Sequence, residues 1–212
     1  MSELGIDPAA IPSDALESGV PETTFSLFAA FRVSSSHPVV LDGRDVPGIV
    51  RELEDVSREI DDEGVVVRGW YDVSGVRSDA DVLVWLQGAA PEDLQWSLRQ
   101  LRRTAIVQPL IRTWSTLGVV VDAAAADESP KQWLSVSGAS DRPGLAGASA
   151  AVSVQSAATC GIGDTDWIVT READELVWIV DHLRDAGDRS GVTGGTIAGR
   201  LIDPAEMVEV LQ

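Results

Sequence analysis

Two stretches of this chain repeat one another. SDADVLVWLQG at 78–88 and GDTDWIVTREA at 163–173 each carry Asp-x-Asp, an apolar run and a polar exit, offset by about 85 residues. Each also precedes an amphipathic run: PEDLQWSLRQLRRTAIV (91–107) opens with Pro91 and two acidic residues, and DELVWIVDHLRDAG (174–187) places Leu176, Val177, Ile179, Val180 and Leu183 on its buried face. A strand entering a helix twice limits the chain to a duplicated α+β fold.

The first copy reads in full. TFSLFAAFRV (24–33) is a buried strand, and SSSHPVVLDG is a loop broken by Pro38 and Gly43. From Val46 to about Asp62, Ile49, Val50, Leu53, Val56 and Ile60 recur at helical steps behind Asp45 and Pro47. GVVVRGWYDV (64–73) and DADVLVWLQG (79–88) form an antiparallel pair about the turn SGVRS. After the helix at 91–107, with the stripe Leu94, Leu98, Leu101 and Ile106 and with Trp96 off it, IRTWSTLGVVV (111–121) is the last strand. The order is β-α-β-β-α-β, a ferredoxin-like unit.

The second copy is shorter. Past the polar linker DAAAADESP (122–130), KQWLSVSG (131–138) is its first strand, and the next begins near Ala150. The eleven residues ASDRPGLAGAS between them, with one proline and two glycines, are too few and too broken for a packed helix. The fold class expected is therefore α+β: two fused ferredoxin-like repeats, the second lacking a helix. Residues 1–22, rich in Pro, Ser, Asp and Glu, are expected as a disordered tail, 23–121 as the N-terminal repeat and 131–212 as the truncated C-terminal repeat.

Composition narrows the functions. With 34 acidic against 16 basic residues the net charge is −18, which repels nucleic acid and anionic lipid; only Arg99, Arg102 and Arg103 cluster, and they read as a solvated helix face. No membrane span and no basic-then-apolar leader is seen, so a cytoplasmic protein is expected. Cys160, the one cysteine, reads as a small buried hydrophobe. Asp79/Asp81 and Asp164/Asp166 read as turn-satisfying carboxylates rather than metal ligands, so no metal site is expected. Trp70, Tyr71, Trp85 and Trp114 read as packing residues.

The stretch VRGWYDVSGVRSDADVLVWLQG, with Arg68, Gly69, Tyr71, Asp72, Gly75, Arg77, Asp79 and Asp81, resembles the signature region of the chlorite dismutase family, particularly its actinobacterial coproheme decarboxylase branch, the peroxide-dependent haem synthases. The resemblance runs from Phe25 to Gly118, resumes at 161–187 and touches TIAGRLID, about two thirds of the chain. It implies a dimeric α+β barrel protomer, often assembled into a pentameric ring, that binds coproheme at the sheet and helices of the C-terminal repeat. A tyrosine radical then acts on two propionates in the decarboxylases.

The residues that such chemistry needs are absent from the matching positions. Where the resemblance places the proximal histidine, GASDRPGLAG (138–147) has none; where it places the catalytic tyrosine after a W-x-x-V frame, KQWLSVSG has Ser137; where it places the distal histidine, VVVDAAAADESP has none. Of the two histidines, His37 falls in a loop and His182 on the last helix of the repeat, neither at a ligand position. Tyr71 belongs to the fold signature.

Three readings follow. The first expects no cofactor and no catalytic residue: a pseudoenzyme or structural or regulatory subunit, assembled as a homo-oligomer or a hetero-oligomer with a family paralogue. A second is a haem- or coproheme-binding protein of haem biosynthesis, with Lys131, Trp133 and Arg142 beside the tetrapyrrole. The third is a haem-free barrel enzyme with a new pocket.

Overall fold

The computed structural model describes residues 23–36, 45–121, 129–141, 151–185 and 192–212. The elements are β1 (Phe25–Arg32), α1 (Val46–Asp62), β2 (Val65–Asp72), β3 (Val82–Gly88), α2 (Pro91–Leu101), β4 (Ile111–Val120), β5 (Trp133–Ala139), β6 (Ser153–Ala158), β7 (Trp167–Ala173), α3 (Leu176–Asp185), β8 (Val192–Ile202) and α4 (Pro204–Val210). The expected tail at 1–22 lies outside the described residues, as do His37 and Arg142.

The eight strands close into one antiparallel barrel in the order β1-β3-β2-β8-β5-β7-β6-β4. Within it, β4-β1-β3-β2 and β8-β5-β7-β6 have the same 4-1-3-2 arrangement, the ferredoxin-like order, so the repeated sequence does fold into repeated topology. Two seams join the halves. At one, β2 pairs with β8 through Trp70↔Ile202, Tyr71↔Leu201 and Asp72↔Arg200; at the other, β4 meets β6 only at Val119↔Ala158 and Val120↔Ala157. Glycine permits both approaches. A Cβ at Gly199 would lie 2.7 Å from the Asp72 carbonyl oxygen, and one at Gly118 2.8 Å from Thr159 Cγ2 and 3.0 Å from the Ala158 carbonyl oxygen.

Strand alternation then sorts side chains into layers. Outward from the N-terminal half, Leu27, Phe31, Val82, Val84 and Leu86 pack beneath Leu53 and Ile60 of α1 and Leu94, Leu98 and Leu101 of α2. Phe28, Tyr71, Leu83, Trp85, Leu134, Val136, Ile168 and Ile197, contributed by both halves, fill the barrel. A smaller outer cluster on the C-terminal half joins Val152 and Ala173 to Ile179 of α3, with Trp133, Trp178 and Leu183 at its edge.

Several expectations change. α2 ends at Leu101 rather than near Val107, because Thr104 Oγ1 donates to the Leu101 carbonyl at 2.7 Å and turns follow; Ile106 and Val107 still reach the core from those turns. Trp96 packs against that same core from its edge. β6 begins at Ser153, and no helix occurs among the described residues between β5 and β6. Cys160 is exposed, not buried: it sits in the β6–β7 turn and its thiol donates to the Asp166 carbonyl at 3.2 Å. Arg99, Arg102 and Arg103 are exposed at the end of α2, as the solvated-face reading expects.

A fourth helix, α4, lies beyond the elements that apolar periodicity marks. α4 carries a full capping box, Asp203 accepting from the Ala205 and Glu206 N–H groups while the Glu206 side chain accepts from the Asp203 N–H. The run Asp203-Pro204-Ala205-Glu206 was the signal. Although α4 follows the last strand of the C-terminal half, it packs against α1 and β2 of the N-terminal half through Met207, Val208 and Leu211.

Candidate functional site

Three regions of the barrel carry polar chemistry. The first lies inside, at the end where β1 starts. Arg68 and Glu172, both buried, form an ion pair across the two halves (Nη2–Oε2 3.3 Å), and the guanidinium lies 5.0 Å from the centre of the Trp85 ring. Glu172 Oε1 also accepts from the Lys131 backbone N–H at 3.2 Å. Beside it, Gln87 Nε2 donates to Ser26 Oγ and to Gln155 Oε1, each at 3.0 Å, and Trp85 Nε1 donates to Ser26 Oγ at 3.2 Å. Burial pushes the Glu172 carboxyl above its ordinary value, with Arg68 opposing. Burial likewise pushes the Tyr71 phenol far upward, so it stays protonated, and its hydroxyl has no hydrogen-bond partner among the described residues.

The second region is the outer face of the C-terminal sheet, under α3. Register puts Trp133, Ser135, Ser137, Arg171 and Ser156 on this face: Trp133 is opposite Ala173, Ser135 opposite Arg171, and Ser137 and Ser156 both opposite Val169. Arg171 Nη1 donates to Ser137 Oγ at 3.1 Å, with both residues buried. The hydroxyls of Ser135 and Ser156 are buried without a partner among the described residues. His182 stands in the last turn of α3, half-buried, where a basic residue suits the helix C-terminus.

The third region is the opposite end of the barrel interior. There a cavity of about 210 Å³ opens between the β2–β3 turn, β4, the β6–β7 turn and the start of β8. Asp79 is held by Arg77 in a fork, Nε–Oδ1 and Nη2–Oδ2 both 2.6 Å, which keeps its carboxyl below the usual range. Asp81 Oδ2 instead accepts the Val33 N–H at 2.7 Å, and the Asp166 carbonyl accepts the Thr159 N–H at 2.9 Å. Asp79 and Asp81 thus use their carboxylates at the β2–β3 turn, whereas Asp166 acts through its backbone carbonyl and the Asp164 carboxylate takes no part in its turn; no group of metal-ligating side chains occurs among the described residues.

Two of the three residues expected beside a tetrapyrrole fall among the described residues. Lys131 lies next to Glu172, Trp133 packs at the edge of the α3 cluster, and Arg142 is outside the described residues. Trp70, Tyr71 and Trp85 are core residues, while Trp114 is half-buried on the cavity wall. Ser137 and Tyr71 face opposite sides of the sheet, so the phenol does not stand in for the serine.

A single chain that closes two ferredoxin-like halves into one antiparallel barrel, with helices outside, is a dimeric α+β barrel protomer. The chlorite dismutase family model matches residues 47–134. The coproheme decarboxylase of Mycolicibacterium smegmatis is 29% identical over 205 residues, spanning 84% of this chain and 86% of that protein. The fold is shared with a mutant chlorite dismutase from Candidatus Nitrospira defluvii (TM-score 0.73, 15% identity, 96% of this chain and all of that one) and with chlorite dismutase from the same organism in complex with imidazole (TM-score 0.72, 14% identity, 94% and 99%). The chain is thus similar to the chlorite dismutase family over residues 47–134 and shares the fold of solved chlorite dismutases. No described helix is long and apolar enough to cross a membrane.

Proposed function

We propose that this is a haem-free relative of the coproheme decarboxylases, a non-catalytic structural or regulatory subunit that assembles with itself or with a complete family paralogue. One observation carries the reading. At the position where the resemblance puts an oxidisable phenol, Ser137 is buried and holds the Arg171 guanidinium, and the sheet face around it offers hydroxyls and a guanidinium, none of which ligates haem iron. Ser135, Ser137, Ser156 and Arg171 on that sheet face supply no ligand for a haem iron.

The test is an absorbance titration of the purified protein with haem b and with coproheme. No Soret band saturating at one equivalent is the expected result. A band that saturates at one equivalent overturns the haem-free reading, and its shift in His182→Ala would then identify the ligand. Native mass spectrometry after mixing with a complete family member tests assembly: rings that contain this chain support the subunit reading, and a monomer alone or with the paralogue opposes it.

A second reading has its own support. The unpartnered hydroxyls of Ser135 and Ser156 lie on the same face as Arg171, and such atoms are costly to leave unsatisfied. An anionic tetrapyrrole hydrogen-bonded there, with Trp133 and Lys131 at its edge, satisfies them without an axial ligand from the sheet. Tight binding with no axial-ligand signature is the result that selects it.

A further inference from the structure

The barrel interior is packed at one end and hollow at the other. Phe28 stacks on Trp85 with centroids 5.3 Å apart, but toward the second end Ala30, on the same strand face as Phe28, leaves space. The seam widens there too, because β4 finds β6 only at Val119 and Val120 while its earlier residues face the β6–β7 turn. A cavity of about 210 Å³ suits a small molecule rather than a macrocycle.

Its lining is specific in kind. Val136 and Ile168 make an apolar floor, and the half-buried Trp114 presents an aromatic wall. At the rim, Arg77 is committed: it forks onto Asp79 and also lies 3.5 Å from the Thr196 carbonyl of β8, spanning the two halves. The Asp79 charge is therefore matched. The Asp164 carboxylate, on the same rim and exposed, makes no hydrogen bond or ion pair among the described residues. Apolar floor, aromatic wall and one unmatched negative charge together describe a receptor for a small organic cation. A net charge of −18 also raises the concentration of cations near the surface.

We propose that the open end of the barrel binds a small protonated amine with an apolar or aromatic body, seated on Val136 and Ile168, against Trp114, with its ammonium at Asp164. This site faces the barrel interior, on the other side of the sheet from Ser137, and stands or falls independently of haem binding. A charge-assisted hydrogen bond to Asp164 sets the preference for an amine over a neutral isostere.

Calorimetric titration of the intact protein with benzylamine, benzyl alcohol and benzoate tests it, with the perturbed indole resonance followed by NMR. Benzylamine is expected to bind in the millimolar range, about tenfold or more tighter than benzyl alcohol, with benzoate weakest, and to shift the Trp114 indole signal. Asp164→Asn, an exposed turn substitution, is expected to bring the amine down to the alcohol, and Trp114→Leu to weaken both. The proposal is overturned by equal binding of amine and alcohol, by an Asp164→Asn variant that binds benzylamine as before, or by no saturable binding through the millimolar range.

Discussion

Glu172 helps tie the two halves together. It is buried, contributed by β7, and paired with Arg68 of β2, 104 positions away in the chain. Glu172→Ala removes the one carboxylate facing Arg68 in this pair; a loss of about 3 kcal/mol is expected, at the low end for a broken buried pair because Trp85 still lies against the guanidinium. Urea unfolding measures it. The pH dependence has a definite sign. Burial raises the folded-state carboxyl above its ordinary 4.5, so the folded protein holds that proton longer than the unfolded chain. Stability relative to Glu172→Gln is then greatest below pH 4.5 and falls as pH rises through the folded value. A difference that grows with pH from 4 to 7 would contradict this assignment.

Among the elements, α4 shows how a short helix is made stable by its ends. Seven residues are too few for a helix to persist on propensity alone, so the Asp203–Glu206 capping box and the burial of Met207 and Val208 must hold it. Asp203→Ala is expected to cost about 1 kcal/mol in chemical denaturation. The cost should appear in the stability of the whole barrel, because α4 covers α1 and β2 rather than its own half. The difference between the β5–β6 and β1–β2 connections is also an element property. α1 occupies seventeen residues between β1 and β2, whereas only residues 140–152 separate β5 from β6.

For the whole molecule, both halves contribute to the barrel interior, and neither has a second layer to cover its inner face without the other. The chain should therefore unfold as one unit, with a calorimetric enthalpy equal to the van't Hoff value. Two resolved thermal transitions would mean that the halves are independently stable. The glycine contacts at Gly118 and Gly199 belong to this closure, since a side chain at either would push the seams apart.

Much of this architecture was legible along the chain. Asp79-x-Asp81 and Asp164-x-Asp166 mark the two turns, the apolar periods mark α1, α2 and α3, though Val177 and Val180, expected on the buried face of α3, are exposed, and the offset of about 85 residues matches β3 to β7. Those signals are local: a pleat has period two and a helix 3.6, so residues near in sequence report them. The short β5–β6 connection and Ser137 were legible for the same reason. What only the tertiary structure decided depends on residues far apart. Arg68 meeting Glu172, Ser137 meeting Arg171, the exposure of Cys160, and Asp164 and Trp114 lining one cavity follow from how the strands register around a closed barrel. Pairing across 104 positions is set by the seams and the shear of the sheet, and no local pattern encodes it.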